Sequence, residues 1–216
     1  MQIKIDIKVF ALLLLFFFTH QIEIYVLLMF FALLHELGHL LAGIILKFKP
    51  KKIAFNPLGL SVTFEGFGEN VSRTICQKRI FVAIAGPLVN LIIIILTYIF
   101  NFGESKYLII YSNLILLLIN LIPIYPLDGG RILKEFLHIQ LGYWKSISIT
   151  NKISNVFTIL LTIIASISIF YFKNIAILLI GIYLWFLVIK ENRYFAVLKK
   201  MNDILYKDKK TLENIE

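Results

Sequence analysis

The sequence predicts an all-α polytopic membrane protein with six transmembrane helices and a short β segment between the second and third. Hydrophobic residues make up 59% of the chain and the mean hydropathy is +0.86, against about 45–50% apolar content in soluble domains. The apolar residues gather into six runs, about residues 6–19, 22–46, 80–100, 107–122, 153–170 and 175–189, which are read against a hydrocarbon core roughly 30 Å thick. The charges are lopsided: with the amino terminus inside, only Lys106 and Lys173 of the 22 Lys and Arg residues fall outside. That bias predicts a multi-pass membrane protein with both termini cytoplasmic. It also accounts for the net charge of +9 through contact with the lipid bilayer, so no nucleic-acid partner is expected.

The first run, Val9 to Phe18, lacks a small-residue cleavage site and leads at once into the second, so it reads as a retained helix and not a signal peptide. It is short, and tilt or local thinning would complete the crossing. In the connection from Lys47 to Gln77, Ile53 and Phe55 alternate, and Leu58, Leu60, Val62 and Phe64 alternate after Asn56-Pro57. Period two predicts one or two short strands, with an amphipathic surface loop as the alternative. Arg131 to Lys152 is mixed and predicts a short interfacial helix, while the polar tail after Met201 is expected to be loosely ordered. The lone cysteine, Cys76, excludes an intrachain disulfide and is read as a bystander.

The second run contains His35-Glu36-Leu37-Gly38-His39. Two imidazoles and a carboxylate are costly at membrane depth and call for a function. Spacing of i and i+4 sets both imidazoles on one helix face, where they can share a metal, with Glu36 beside them as a base for a water nucleophile. A catalytic zinc takes three protein ligands. His20 and His138 fall near expected interfaces, which leaves Asp128 as the better third ligand. It lies in Asn120-Leu121-Ile122-Pro123-Ile124-Tyr125-Pro126-Leu127-Asp128-Gly129-Gly130, where two prolines and two glycines break a helix. Broken backbone at membrane depth belongs where it lines an enclosed cavity. The alternative for Asp128 is a turn-forming residue ahead of a Gly pair.

Together with Ala85-Gly86-Pro87-Leu88-Val89-Asn90, these segments resemble the site-2 protease family of intramembrane zinc metalloproteases, and most closely its SpoIVFB-like sporulation branch. The resemblance covers nearly all of an expected membrane domain at residues 1–200, followed by a short cytoplasmic tail at 201–216. It implies one zinc per chain on His35, His39 and Asp128, Glu36 as catalytic base, and Asn120 holding substrate or the oxyanion. Gly86, Pro87 and Asn90 match a central motif close to substrate, although Asn90 reads equally as a helix-packing hydrogen bond. The implied substrate is a membrane-associated protein, with a sporulation sigma-factor precursor leading and an anti-sigma factor or signal-peptide remnant as alternatives. The sporulation branch further implies the mother-cell membrane around the forespore and membrane regulatory proteins. Its nucleotide-sensing CBS domain is not expected in a chain ending at Glu216. A polytopic metal transporter would explain buried ligands but leaves Glu36 without a proton-transfer role. A prenyl-protein processing enzyme would not be expected to combine the central and Pro-Leu-Asp-Gly-Gly motifs.

Overall fold

A computed structural model describes residues 2–5, 17, 22–56, 59–64, 72–100, 103–172 and 175–213. The elements are β1 (Gln2–Ile5), α1 (Ile22–Ile45), β2 (Pro50–Asn56), β3 (Gly59–Phe64), α2 (Arg73–Phe100), a 3-10 turn (Gly103–Ser105), α3 (Lys106–Leu121), α4 (Asp128–Leu141), α5 (Tyr143–Phe172) and α6 (Ile175–Glu213).

The expected architecture needs correction in two respects. The β2–β3 hairpin follows the first described helix and precedes the second, and does not lie between the second and third. Of the six described helices, three are long and apolar enough to cross a membrane, at Tyr25–Ile45, Arg73–Phe100 and Tyr143–Ile167. The expected first span lies outside the described residues apart from Phe17. The physical reasons are local. At 16 residues α3 is roughly 24 Å long, short of the hydrocarbon thickness. The α4 helix carries its charges through its length, and the described apolar part of α6 runs on into a polar stretch. That stretch stays helical to Glu213 where a loose tail was expected, because no Gly or Pro interrupts the chain after Gly181.

The hairpin pairs Ile53 with Val62 and Phe55 with Leu60, the positions whose alternation marks strands. The sheet also has a third strand that the sequence reading did not foresee: β1 pairs in parallel with β2, Ile3 opposite Ile53 and Ile5 opposite Phe55. Parallel strands need a long crossover, and the chain between them, which includes α1, supplies it.

The helix α1 packs on α2 through small residues. A Cβ on Gly38 would lie 2.7 Å from Val89 Cγ2 and 2.9 Å from the Ala85 carbonyl oxygen, so glycine allows the two backbones to approach. Phe31, Ala32, Val82 and Ala83 are buried, whereas Phe30, Leu41, Phe81 and Leu91 on the same helices are exposed. Apolar exposure on that scale suits lipid, and the chain is a polytopic membrane protein. After Leu121 the helix stops, residues 122–127 form turns, and α4 starts at Asp128. Gly129 and Gly130 sit against the backbone of Leu121, Ile122, Ile124 and Tyr125, where no Cβ fits. Gly142, at φ +81°, separates α4 from α5; its left-handed conformation favours glycine.

Candidate metal centre

Three elements meet at one buried point. His35 and His39 come from successive turns of α1, and Asp128 from the first residue of α4; all are 2–3% exposed. His35 Nε2 lies 2.9 Å from Asp128 Oδ2, and His39 Nε2 lies 3.1 Å from both Asp128 Oδ2 and His35 Nε2. The third side of the pocket is α2. Its Val82 carbonyl accepts a hydrogen bond of 2.7 Å from His39 Nδ1, which holds the ring proton on Nδ1 and turns the Nε2 lone pair toward the cluster. A Cβ on Gly86 would fall 2.6 Å from His35 Nε2 and still closer to the His39 ring, so α2 can face this cluster only with a glycine there.

These residues fit zinc. Nitrogen and oxygen ligands at about 2.0–2.2 Å in tetrahedral array stand roughly 3.3 Å from one another, and the three atoms here are separated by 2.9–3.1 Å. With the His39 proton on Nδ1, the triangle holds more lone pairs than protons, the donor set of a cation site. The buried cluster matches a single catalytic zinc site.

The other expected residues are disposed as follows. Glu36 Oε2 is buried with no hydrogen-bond partner, and Glu36 follows His35 directly on α1. Gly86 faces the imidazoles, and Pro87 is buried in α2. Asn90 is fully buried and neither amide atom finds a partner. Asn120 is half-buried and donates from Nδ2 to the Leu116 carbonyl at 3.0 Å, within its own helix. Of the remaining histidines, His20 lies outside the described residues, and His138 lies on the α4 turn opposite Cys76.

Two contributors were missed by sequence reasoning. Arg131, read only as a topology signal, places Nη1 3.6 Å from Asp128 Oδ1 and so braces the oxygen that the imidazoles leave free. Its i,i+3 spacing from Asp128 was the available signal. Val82 acts through its backbone carbonyl, which leaves no mark on residue type.

The sequence profile of peptidase family M50 matches residues 23–106 and 101–164. A zinc metalloprotease of Methanocaldococcus jannaschii is 30% identical over 193 residues, covering 86% of this chain and 54% of its own length. Stage IV sporulation protein FB of Bacillus subtilis is 30% identical over 139 residues, 62% of this chain and 47% of its own. The chain thus spans about half the length of the curated relatives it matches. The solved site-2 protease of M. jannaschii superposes with a TM-score of 0.69 at 27% identity, over 88% of this chain and 89% of that one. With the histidines and the aspartate both inside the matched residues, the chain belongs to peptidase family M50.

Proposed function

We propose that this protein is a zinc-dependent intramembrane endopeptidase that hydrolyses peptide bonds of membrane-associated proteins. The carrying observation is the convergence of His35, His39 and Asp128 in a buried cluster on helices bearing lipid-type surfaces. His35, His39 and Asp128 would hold the zinc, which when bound would supply Lewis-acid chemistry for a peptide carbonyl and for water. The protein's own groups do the rest. Glu36 takes the proton of the attacking water and hands it to the leaving amine. Val82 keeps His39 in one tautomer, and Arg131 keeps Asp128 oriented. Asn120 serves the oxyanion or the substrate backbone by exchanging its bond to the Leu116 carbonyl for one to substrate. Asn90, an amide buried without a partner, is the second candidate for substrate contact, and Gly86 and Pro87 hold α2 against the imidazoles.

A helical substrate hides its carbonyls, so it must unwind before attack. The β2–β3 hairpin supports docking of the unwound segment by strand addition. Basic residues at Lys47, Lys49, Lys51, Lys52 and Arg131 support a cytoplasmic position for this end of the molecule and for both termini, and hence cleavage near the cytoplasmic face. Likeness to a B. subtilis stage IV sporulation protein supports a role in sporulation; the substrate we propose first is a sigma-factor precursor, in a bacterial mother-cell membrane and under membrane regulators. An anti-sigma factor or a signal-peptide remnant is the alternative substrate.

Glu36→Gln tests the reading. The variant should keep its zinc and lose cleavage of a co-expressed membrane-tethered substrate by about 10²-fold or more. Undiminished, zinc-dependent cleavage by that variant would remove Glu36 as base. Cleavage of an anti-sigma protein with a sigma precursor left intact would defeat the sporulation assignment alone.

A further inference from the structure

A second set of metal-ligating side chains lies outside the site described above. Cys76 on the first turn of α2 faces Glu135 and His138 on α4, and one donor atom from each lies within 4.8 Å of the others. Cys76 is 0% and Glu135 5% exposed. We propose that Cys76 Sγ, His138 Nδ1 and Glu135 Oε2 form a binding site for a thiophilic divalent cation, zinc being the common case, that ties α4 to α2.

The distances suit that occupant. Sγ lies 3.5 Å from His138 Nδ1, where a tetrahedral zinc with bonds of about 2.3 Å to sulfur and 2.0–2.1 Å to nitrogen sets them roughly 3.6 Å apart. Glu135 Oε2 lies 3.8 Å from the same nitrogen. The carboxylate is divided between two tasks. Oε1 meets the Arg79 guanidinium at 3.3 Å, while Oε2 is buried with no hydrogen-bond partner, an orphan acceptor on the imidazole side of the carboxylate. The His138 ring is held edge-on to Tyr143 at a centroid distance of 5.6 Å, because Gly142 turns the chain there, so Nδ1 is directed and not free to swing. Glu135 and His138 stand at i and i+3, the Glu-x-x-His spacing that sets both ligands on one helix face.

Charge selects the ion. Arg79 lies against the Glu135 carboxylate and offsets its charge. Coordination releases the Cys76 proton to solvent, so one thiolate charge and the carboxylate meet the cation while Arg79 stays beside Oε1. Sulfur and imidazole exclude magnesium and calcium, which take oxygen ligands. Three protein donors leave one position for water. Glu135 lies seven residues beyond Asp128, about 10 Å along the same helix, so a cation here braces the helix that carries the third ligand of the first cluster.

Cobalt titration of the purified full-length protein in detergent separates the two sites, because only the second contains sulfur. Wild type should bind two cobalt ions per chain and develop a sulfur-to-cobalt charge-transfer band whose final intensity corresponds to one of them, and Cys76→Ser should lose the band while still binding one cobalt at the histidines. His138→Ala should raise the cobalt needed for half-saturation of the band by about tenfold or more, and Glu135→Gln should weaken it in the same direction. Those two variants keep the thiol and remain informative if Cys76→Ser does not fold. No band in folded wild type would overturn the proposal. A band indifferent to both His138→Ala and Glu135→Gln would do the same, since it would report cobalt on an isolated thiol.

Discussion

Arg131 touches no histidine, yet it stands 3.6 Å from the Asp128 oxygen opposite the one facing the imidazoles. A carboxylate fixed at both oxygens is a better oriented ligand than one free to rotate, and loss of such a brace typically costs 10–100-fold in metal affinity. Arg131→Gln should therefore weaken zinc binding at His35, His39 and Asp128 by about that factor in a chelator competition, whereas Asp128→Ala should abolish stoichiometric zinc at that cluster and leave the Cys76, Glu135 and His138 cluster unaffected. Equal affinity in Arg131→Gln and wild type would reduce the arginine to a topology charge. Gly86 makes a sharper case, since the added methyl of Gly86→Ala would sit 2.6 Å from His35 Nε2. Alanine is the better helix former, so circular dichroism should be kept while the zinc on His35, His39 and Asp128 is lost. Retained zinc would mean that α1 and α2 can separate without cost.

The hairpin matters through its edges. Within β3, Ser61 pairs with Ala54 and Val62 with Ile53. Successive N–H groups along a strand point to opposite edges, so one of these two donates toward β2 and the other toward the outer edge. Proline at the inward position should destabilise the hairpin. At the outward position it should leave the fold intact and slow cleavage of a helical substrate, as measured by turnover in proteoliposomes. Unchanged turnover there would sink docking by strand addition. The elements themselves were legible to different degrees. Alternation marked β2 and β3, and the proline and glycine pairs marked the break after Leu121. The parallel partner β1 was not legible, because four residues, Gln2–Ile5, carry too little pattern to announce a pairing some fifty positions away. The division at Gly142 was missed because one glycine between two helical patterns is compatible with a continuous helix.

For the whole molecule, orientation follows from charge. Among the described residues fewer helices qualify as spans than the apolar runs suggested, so the side on which each loop falls rests on charge rather than on counting. Single cysteines introduced at Lys49 and at Lys207 in a Cys76→Ser background should react with a membrane-impermeant reagent from the cytoplasmic side of sealed vesicles. One introduced at Lys106 should react from the opposite side. Labelling of the Lys49 position only from outside would invert the molecule and move the cleavage plane with it.

Residue type and spacing alone determined the membrane class, the metal motif on α1 and the candidate third ligand, because buried charge is so expensive in lipid that few arrangements can explain it. Spacing of four on a helix dictates that His35 and His39 share a face whatever the rest of the fold does. Only the tertiary structure decided that Asp128 meets them, that Val82 orients His39 and that Gly86 is pressed against them, since these contacts join α1, α2 and α4 across 43 to 93 positions of sequence. The same holds for Cys76, Glu135 and His138. Cys76 reads as a bystander and His138 as an interface residue in their own segments, and the cluster exists because helix packing brings α2 against α4.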